Sequence, residues 1–155
     1  MPRTVIDKDT LKNLVETGEC VVNIVNTDLV EKMNMTSASL SIDESAFTFA
    51  DVESCSSSQV TPKSVKESPT RYGCTLRGVI NVSDLPTGGT LVLLDVKCIY
   101  VRDDLYTDGN INHQLIDSVG KLGGDYFNLT SNKIVKIARK SGFYNLAKLG
   151  VMTLY

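Results

Sequence analysis

Two long segments on either side of a short turn constrain this chain more than anything else in its 155 residues. In the first, Tyr72, Cys74, Leu76, Gly78, Ile80 and Val82 alternate with mostly polar partners, the period of a strand with one face buried. Pro86-Thr87-Gly88-Gly89 supplies a turn. The run from Thr90 to Arg102 follows, with Leu91-Val92-Leu93-Leu94-Asp95-Val96-Lys97-Cys98-Ile99-Tyr100-Val101 at its centre. The pattern predicts an antiparallel hairpin of Tyr72–Leu85 with Thr90–Arg102, its register set by the turn. Paired strands of this length argue for a mainly β chain with a few helices, built as a barrel rather than a parallel sheet.

The remaining elements are shorter. Leu11, Leu14 and Val15 recur at helical spacing within Asp7–Glu16; Asp9 or Thr10 is a candidate N-cap, and Gly18 a stop. Glu19 to Val25 is nearly all apolar and β-branched, as for a strand buried on both faces. A second helix begins at Asn26 or Thr27, with Leu29, Val30 and Met33 as its inner stripe. Asn34 to Ser68 lacks periodicity apart from a short helix expected over Ser45–Val52, and its length suggests a functional excursion. Asp103-Asp104 and Asp108-Gly109-Asn110 read as loops, Gly120-Lys121-Leu122-Gly123-Gly124 as a turn and Tyr126–Leu129 as a short strand. Lys133, Lys136, Arg139 and Lys140 fit one face of a helix.

Composition excludes several functions. Sixteen basic against 18 acidic side chains give a net charge of −2, which argues against nucleic acid as a partner. No apolar run reaches the roughly 18 residues of a membrane span, and charges in Met1–Leu11 break any signal-peptide core, so a cytoplasmic protein is expected. Cys20, Cys55, Cys74 and Cys98 include no CxxC pair, so no metal site is expected. Cys20, Cys74 and Cys98 read as buried hydrophobes and Cys55, in a polar run, as the exposed one. The three sequons, at Asn34, Asn81 and Asn128, are chance matches without a secretory signal. His113 is the only histidine and reads as a loop residue; neither GxSxG nor GxGxxG occurs. Asp43-Glu44 reads as a capping or solvated pair.

Groups suited to binding remain. A helix starting at Asp9-Thr10 offers free N–H groups and a positive dipole end to a phosphate, with Lys8 and Lys12 adding charge; an ordinary capped helix has the same pattern. Asn34-Met35-Thr36-Ser37 clusters hydrogen-bonding side chains past a helix end, as loop polarity alone also would.

Five segments, in this order, resemble the flavin reductase-like family of FMN-binding split barrels. They are Lys8-Asp9-Thr10-Leu11-Lys12-Asn13 and Thr17-Gly18-Glu19-Cys20-Val21-Val22-Asn23, similar to the family's "KDT…N…TGEFVVN"; Met33–Ala38 with Asp43-Glu44; Val65-Lys66-Glu67-Ser68-Pro69; and Gly120-Lys121-Leu122-Gly123-Gly124-Asp125-Tyr126, similar to "GRLGG..Y". The resemblance implies a Greek-key split β-barrel over residues 1–140 and a homodimer with FMN near the subunit interface. It further implies NADH or NADPH as electron donor. It places Lys8, Asp9 and Thr10 at the flavin phosphate or ring edge, Asn34, Thr36 and Ser37 near the ring, and Lys121 with Tyr126 completing the pocket. The chain departs from the family in three places. The family's first barrel strands have no counterpart before residue 8, Gly73 stands where a Glu is frequent, and the tail 141–155 matches nothing. Two functions follow: an NAD(P)H:flavin oxidoreductase, or a truncated, non-catalytic interaction module without cofactor. The missing N-terminal strands carry two expectations, weak or undetectable FMN binding by the chain alone and a bare edge beside Glu19–Val25 that promotes self-association.

Overall fold

The computed structural model describes residues 9–38, 40–41, 43–83, 89–122, 125–128 and 133–135. Helix α1 (Asp9–Thr17) buries Leu14 and ends at Gly18, whose φ of 72° is the left-handed conformation that glycine adopts without strain. Asp9 and Thr10 already belong to the first helical turn, so neither is the N-cap; that position falls outside the described residues. Strand β1 (Glu19–Asn23) is buried from Cys20 onward. Leu14, Cys20, Val22 and Cys74 form the core, flanked by Tyr72, Leu76, Val92 and Leu94.

Asn26 then caps a 3-10 turn (Thr27–Leu29), its side chain accepting the Leu29 N–H at 3.2 Å. Helix α2 (Val30–Met35) continues it. Leu29, Val30 and Met33 are buried, as the spacing predicts. The following excursion holds α3 (Ala46–Phe49), shorter than expected because Asp51 takes a φ of 52° just past its end. It also holds the paired two-residue strands β2 (Ser54–Cys55) and β3 (Ser64–Val65). This excursion runs along β1: the Thr61 N–H donates to Glu19 Oε2 at 2.8 Å and the Val65 N–H to Asn23 Oδ1 at 3.0 Å. These contacts reach side chains of β1, which still stands at the end of its sheet.

Strands β4 (Thr70–Asn81) and β5 (Thr90–Val101) pair antiparallel from Thr70↔Val101 to Asn81↔Thr90, as expected; the turn residues 84–88 lie outside the described residues. Register shifts after Gly73 and after Leu76 mark bulges. The inward alternation holds only as far as Leu76. Beyond it the hairpin leaves the core, and Val79, Ile80, Val82, Leu91 and Leu93 are exposed. The sheet order is β1-β4-β5.

A 3-10 turn (Asp103–Leu105) buries Leu105 completely. It leads into a tight hairpin, β6 (Tyr106–Thr107) with β7 (Asn110–Ile111), where a plain loop was expected. Asp108-Gly109, with φ of 51° and 80°, makes the turn. His113 is exposed and opens the one-turn helix α4 (His113–Ile116) rather than lying in a loop. Strands β8 (Val119–Lys121), β9 (Tyr126–Asn128) and β10 (Lys133–Val135) form a second sheet in the order β10-β9-β8. Lys133 thus belongs to a strand, not a helix, because pairing with β9 wins over the i, i+3 spacing of its charges. Lys136, Arg139, Lys140 and the tail 141–155 lie outside the described residues. Polar contacts join this sheet to the first: the Asn26–Ser118 bridge, Val119 N–H to Val25 O at 3.0 Å, and buried Asn128, whose amide donates to Asp117 Oδ1 at 2.7 Å and to Thr27 Oγ1. Among the described residues no helix is long and apolar enough to cross a membrane.

Candidate functional site

The end of α2 and the β8–β9 pair make one surface. Cross-strand pairing sets Lys121 opposite Tyr126, and the Lys121 ammonium sits 4.2 Å from the Tyr126 ring centroid, a cation–π contact. The Tyr126 hydroxyl reaches Met33 Sδ, 3.6 Å away on α2. On the same helix end, the Thr36 hydroxyl donates to Met33 O and the Ser37 hydroxyl to Asn34 O, both at 2.7 Å. These hydroxyls satisfy the last carbonyls of their own helix, which fixes the turn and leaves their oxygens as acceptors. Asn34, Thr36, Ser37, Lys121 and Tyr126 are thereby gathered around Met33. Asp9 and Thr10 stand exposed at the start of α1, and no described contact joins them to the Tyr126 surface. Lys8 lies outside the described residues, as do Gly123 and Gly124.

Met33 and Thr36 also line an apolar cavity of about 20 Å³, room for one water, together with Asn23, Phe47, Val52 and Val65 among others. Next to it, a wider cleft of about 450 Å³ is edged by Lys32, Phe47, Asp51, Glu53 and Glu67. Lys32 Nζ donates to Asp51 O at 2.5 Å and lies 3.5 Å from Glu67 Oε1, tying α2 to the excursion. Glu67 Oε1 also accepts the Glu53 N–H at 3.2 Å. The exposed Lys66–Glu53 pair, at 3.0 Å, holds the Lys66 ammonium above its ordinary range through the Glu53 hydrogen bond. This cleft was not read from the sequence. Its residues come from segments up to 35 positions apart, and none carries a periodic signal. Glu44 accepts both the N–H and the hydroxyl of Ser41 at 2.9 Å, and the backbone bond chiefly holds its carboxyl below the usual range. Asp43 and Glu44 are both exposed, as expected of a solvated pair, and Glu44 closes a turn onto Ser41. Among the described residues no group of His, Cys, Asp or Glu is placed to hold a metal ion.

Comparison with known proteins identifies the family and the fold. Residues 5–117 match the model of the flavin reductase like domain. An uncharacterized protein of Aquifex aeolicus is 30% identical over 121 residues, 77% of this chain and 60% of that one. The uncharacterized protein YwrF of Bacillus subtilis is 30% identical over 125 residues, with the same shares. The chain thus spans about 60% of the length of the curated relatives it matches. Nitrilotriacetate monooxygenase component B from Bacillus cereus superimposes with a TM-score of 0.72 at 25% identity, over 91% of this chain and 67% of that one. A split-barrel protein of Shewanella frigidimarina, described as a flavin reductase, gives 0.65 at 27% identity, over 92% and 65%. The fold is a split barrel, and the chain belongs to the flavin reductase-like family.

Proposed function

We propose that this chain is an FMN-binding flavin reductase-like protein that takes electrons from NADH or NADPH in the cytoplasm. Residues 1–140 would be its split-barrel domain and 141–155 a tail. The observation that carries the reading is α1. It is a nine-residue helix with an exposed first turn, Asp9-Thr10, inside the segment that the family model matches. A phosphate is held by free N–H groups at the positive end of a helix dipole, the role this reading gives to the start of α1. Lys8 and Lys12 add charge. The ring needs a flat, sheltered face, and the Tyr126–Lys121–Met33 surface is one such wall, with Asn34, Thr36 and Ser37 supplying polar atoms at its edge. The residues present fit the phosphate and one face of the ring. The cavity lined by Met33 and Thr36 has room for only about one water and so does not hold the ring.

A flavin held there would supply the redox chemistry between a nicotinamide donor and an electron acceptor. The protein's part is to orient the ring and keep water from it. The exposed hairpin face beyond Leu76 suits a second protomer, and a homodimer closing over Tyr126 would supply the other wall. That exposed face also favours the second reading, an interaction module without cofactor.

Titrating the purified chain into FMN and following flavin fluorescence tests the reading. Saturable but weak quenching is expected. Each charge-assisted hydrogen bond to phosphate is worth roughly 1.5–3 kcal/mol, so Thr10→Ala should weaken binding about tenfold, by losing its part of the phosphate site. Tyr126→Ala should weaken it as well. No quenching at any protein concentration selects the interaction module.

A further inference from the structure

Arg71 is a buried cation without a counter-ion. Only 8% of the residue is exposed, its Nε has no hydrogen-bond partner, and among the described residues no carboxylate forms an ion pair with it. Its guanidinium lies 3.6 Å from the centre of the Tyr100 ring, across the β4–β5 ladder. Among the described residues its one hydrogen-bond acceptor is a sulfur: Nη1 donates to Cys55 Sγ on β2. A guanidinium can only donate, and buried charges are ordinarily paired. The chain thus directs an uncompensated positive charge at a half-buried thiol. Lys66, on the turn after β3, lies close enough for its charge to be felt at Cys55.

We propose that Cys55 is a thiol–disulfide exchange site for small, negatively charged disulfides. The Cys55 sulfur attacks one sulfur of the reagent. A Cys55 Sγ–S bond forms and the reagent's S–S bond breaks. The other half leaves as a thiol carrying the proton that Cys55 gives up. Cys55 is oxidised and the departing half is reduced, so no further reductant or oxidant is needed. The Arg71 charge behind the sulfur attracts the carboxylates of the reagent toward it, whereas the Lys66 ammonium is already paired with Glu53 at 3.0 Å. The other cysteines are poor competitors. Cys20 and Cys74 are buried, and burial pushes the Cys20 thiol up to about 11. Cys98 is half-buried, with its sulfur packed against Gly73.

The test is intact-protein and peptide mass spectrometry of the full chain after timed exposure to glutathione disulfide at neutral pH. The expected result is one dithiothreitol-reversible adduct, at Cys55, forming at least tenfold faster than any adduct at Cys98. It should be absent in Cys55→Ser, unchanged in Cys98→Ser and at least fivefold slower in Arg71→Gln. Because Arg71→Gln alters a buried site, the same reaction is also timed on the urea-unfolded chain and with neutral hydroxyethyl disulfide. Cys55 should react faster folded than unfolded, and this advantage should shrink with the neutral reagent. Equal labelling of Cys98, no folded-state advantage at Cys55, or equal advantage with the neutral reagent each overturns the proposal.

Discussion

Gly73 sits where one methyl group would be costly. A Cβ built there would meet Cys98 Sγ at 2.6 Å and Val60 Cγ2 at 3.1 Å, which is overpacking rather than a lack of conformational freedom. Gly73→Ala is expected to lower stability by roughly 1–3 kcal/mol in urea unfolding, and adding Cys98→Ala should recover part of the loss. Full additivity of the two changes would mean that the sulfur is not the obstacle. In the sequence Gly73 is noticeable only as a departure from a glutamate expected by resemblance. Its physical reason depends on the Gly73↔Cys98 register just before a bulge, which no local pattern announces. Lys32 and Arg71 were illegible for the same reason: their partners Asp51 and Cys55 lie in a segment without periodicity. Leu14, Cys20 and Cys74 were legible because burial at a helical or strand period is itself the signal.

Elements with many repeats of their own period could be read directly. α1 and the β4–β5 hairpin are such cases, as is the stop at Gly18. The helix expected over Ser45–Val52 is there as the four-residue α3, but the two-residue strands β2 and β3 could not be placed this way. Their positions come from bonds to β1 and α2, so tertiary contact outweighs local propensity. Of the candidate site, the residue types around the end of α2 were legible, but not that Met33 joins them to Tyr126. For α1 itself, the amphipathic reading has a direct check. Leu14 is 2% exposed in the core while its neighbour Val15 is 58% exposed. Leu14→Ala should cost about 2–4 kcal/mol in chemical denaturation, and Val15→Ala less than about 0.5 kcal/mol. Equal costs would mean that α1 does not pack through this face.

For the molecule as a whole, the conspicuous surface is the outer hairpin. Val79, Ile80, Val82, Leu91, Leu93, Val96 and Ile99 are each 39% exposed or more, beside the edge strand β5. Exposed apolar side chains on a strand edge favour association. Sedimentation over a wide concentration range should show a reversible dimer, and Val96→Lys should weaken it by about tenfold or more, since a charge would be buried unpaired. A monomer at every concentration would sink the idea.

The topology also fixes an order of events. β4 and β5 are joined by the eight residues between Asn81 and Thr90, whereas β1 reaches β4 only after the chain between Asn23 and Thr70 has been gathered in. The entropy of closing a loop grows with its length, so the hairpin forms early and β1 docks late on the folding route. In stopped-flow chevrons Val92→Ala should therefore slow folding, while Val22→Ala should chiefly speed unfolding; the reverse partition would place β1 in the nucleus. The strand that completes the core is then also the one whose departure begins its loss.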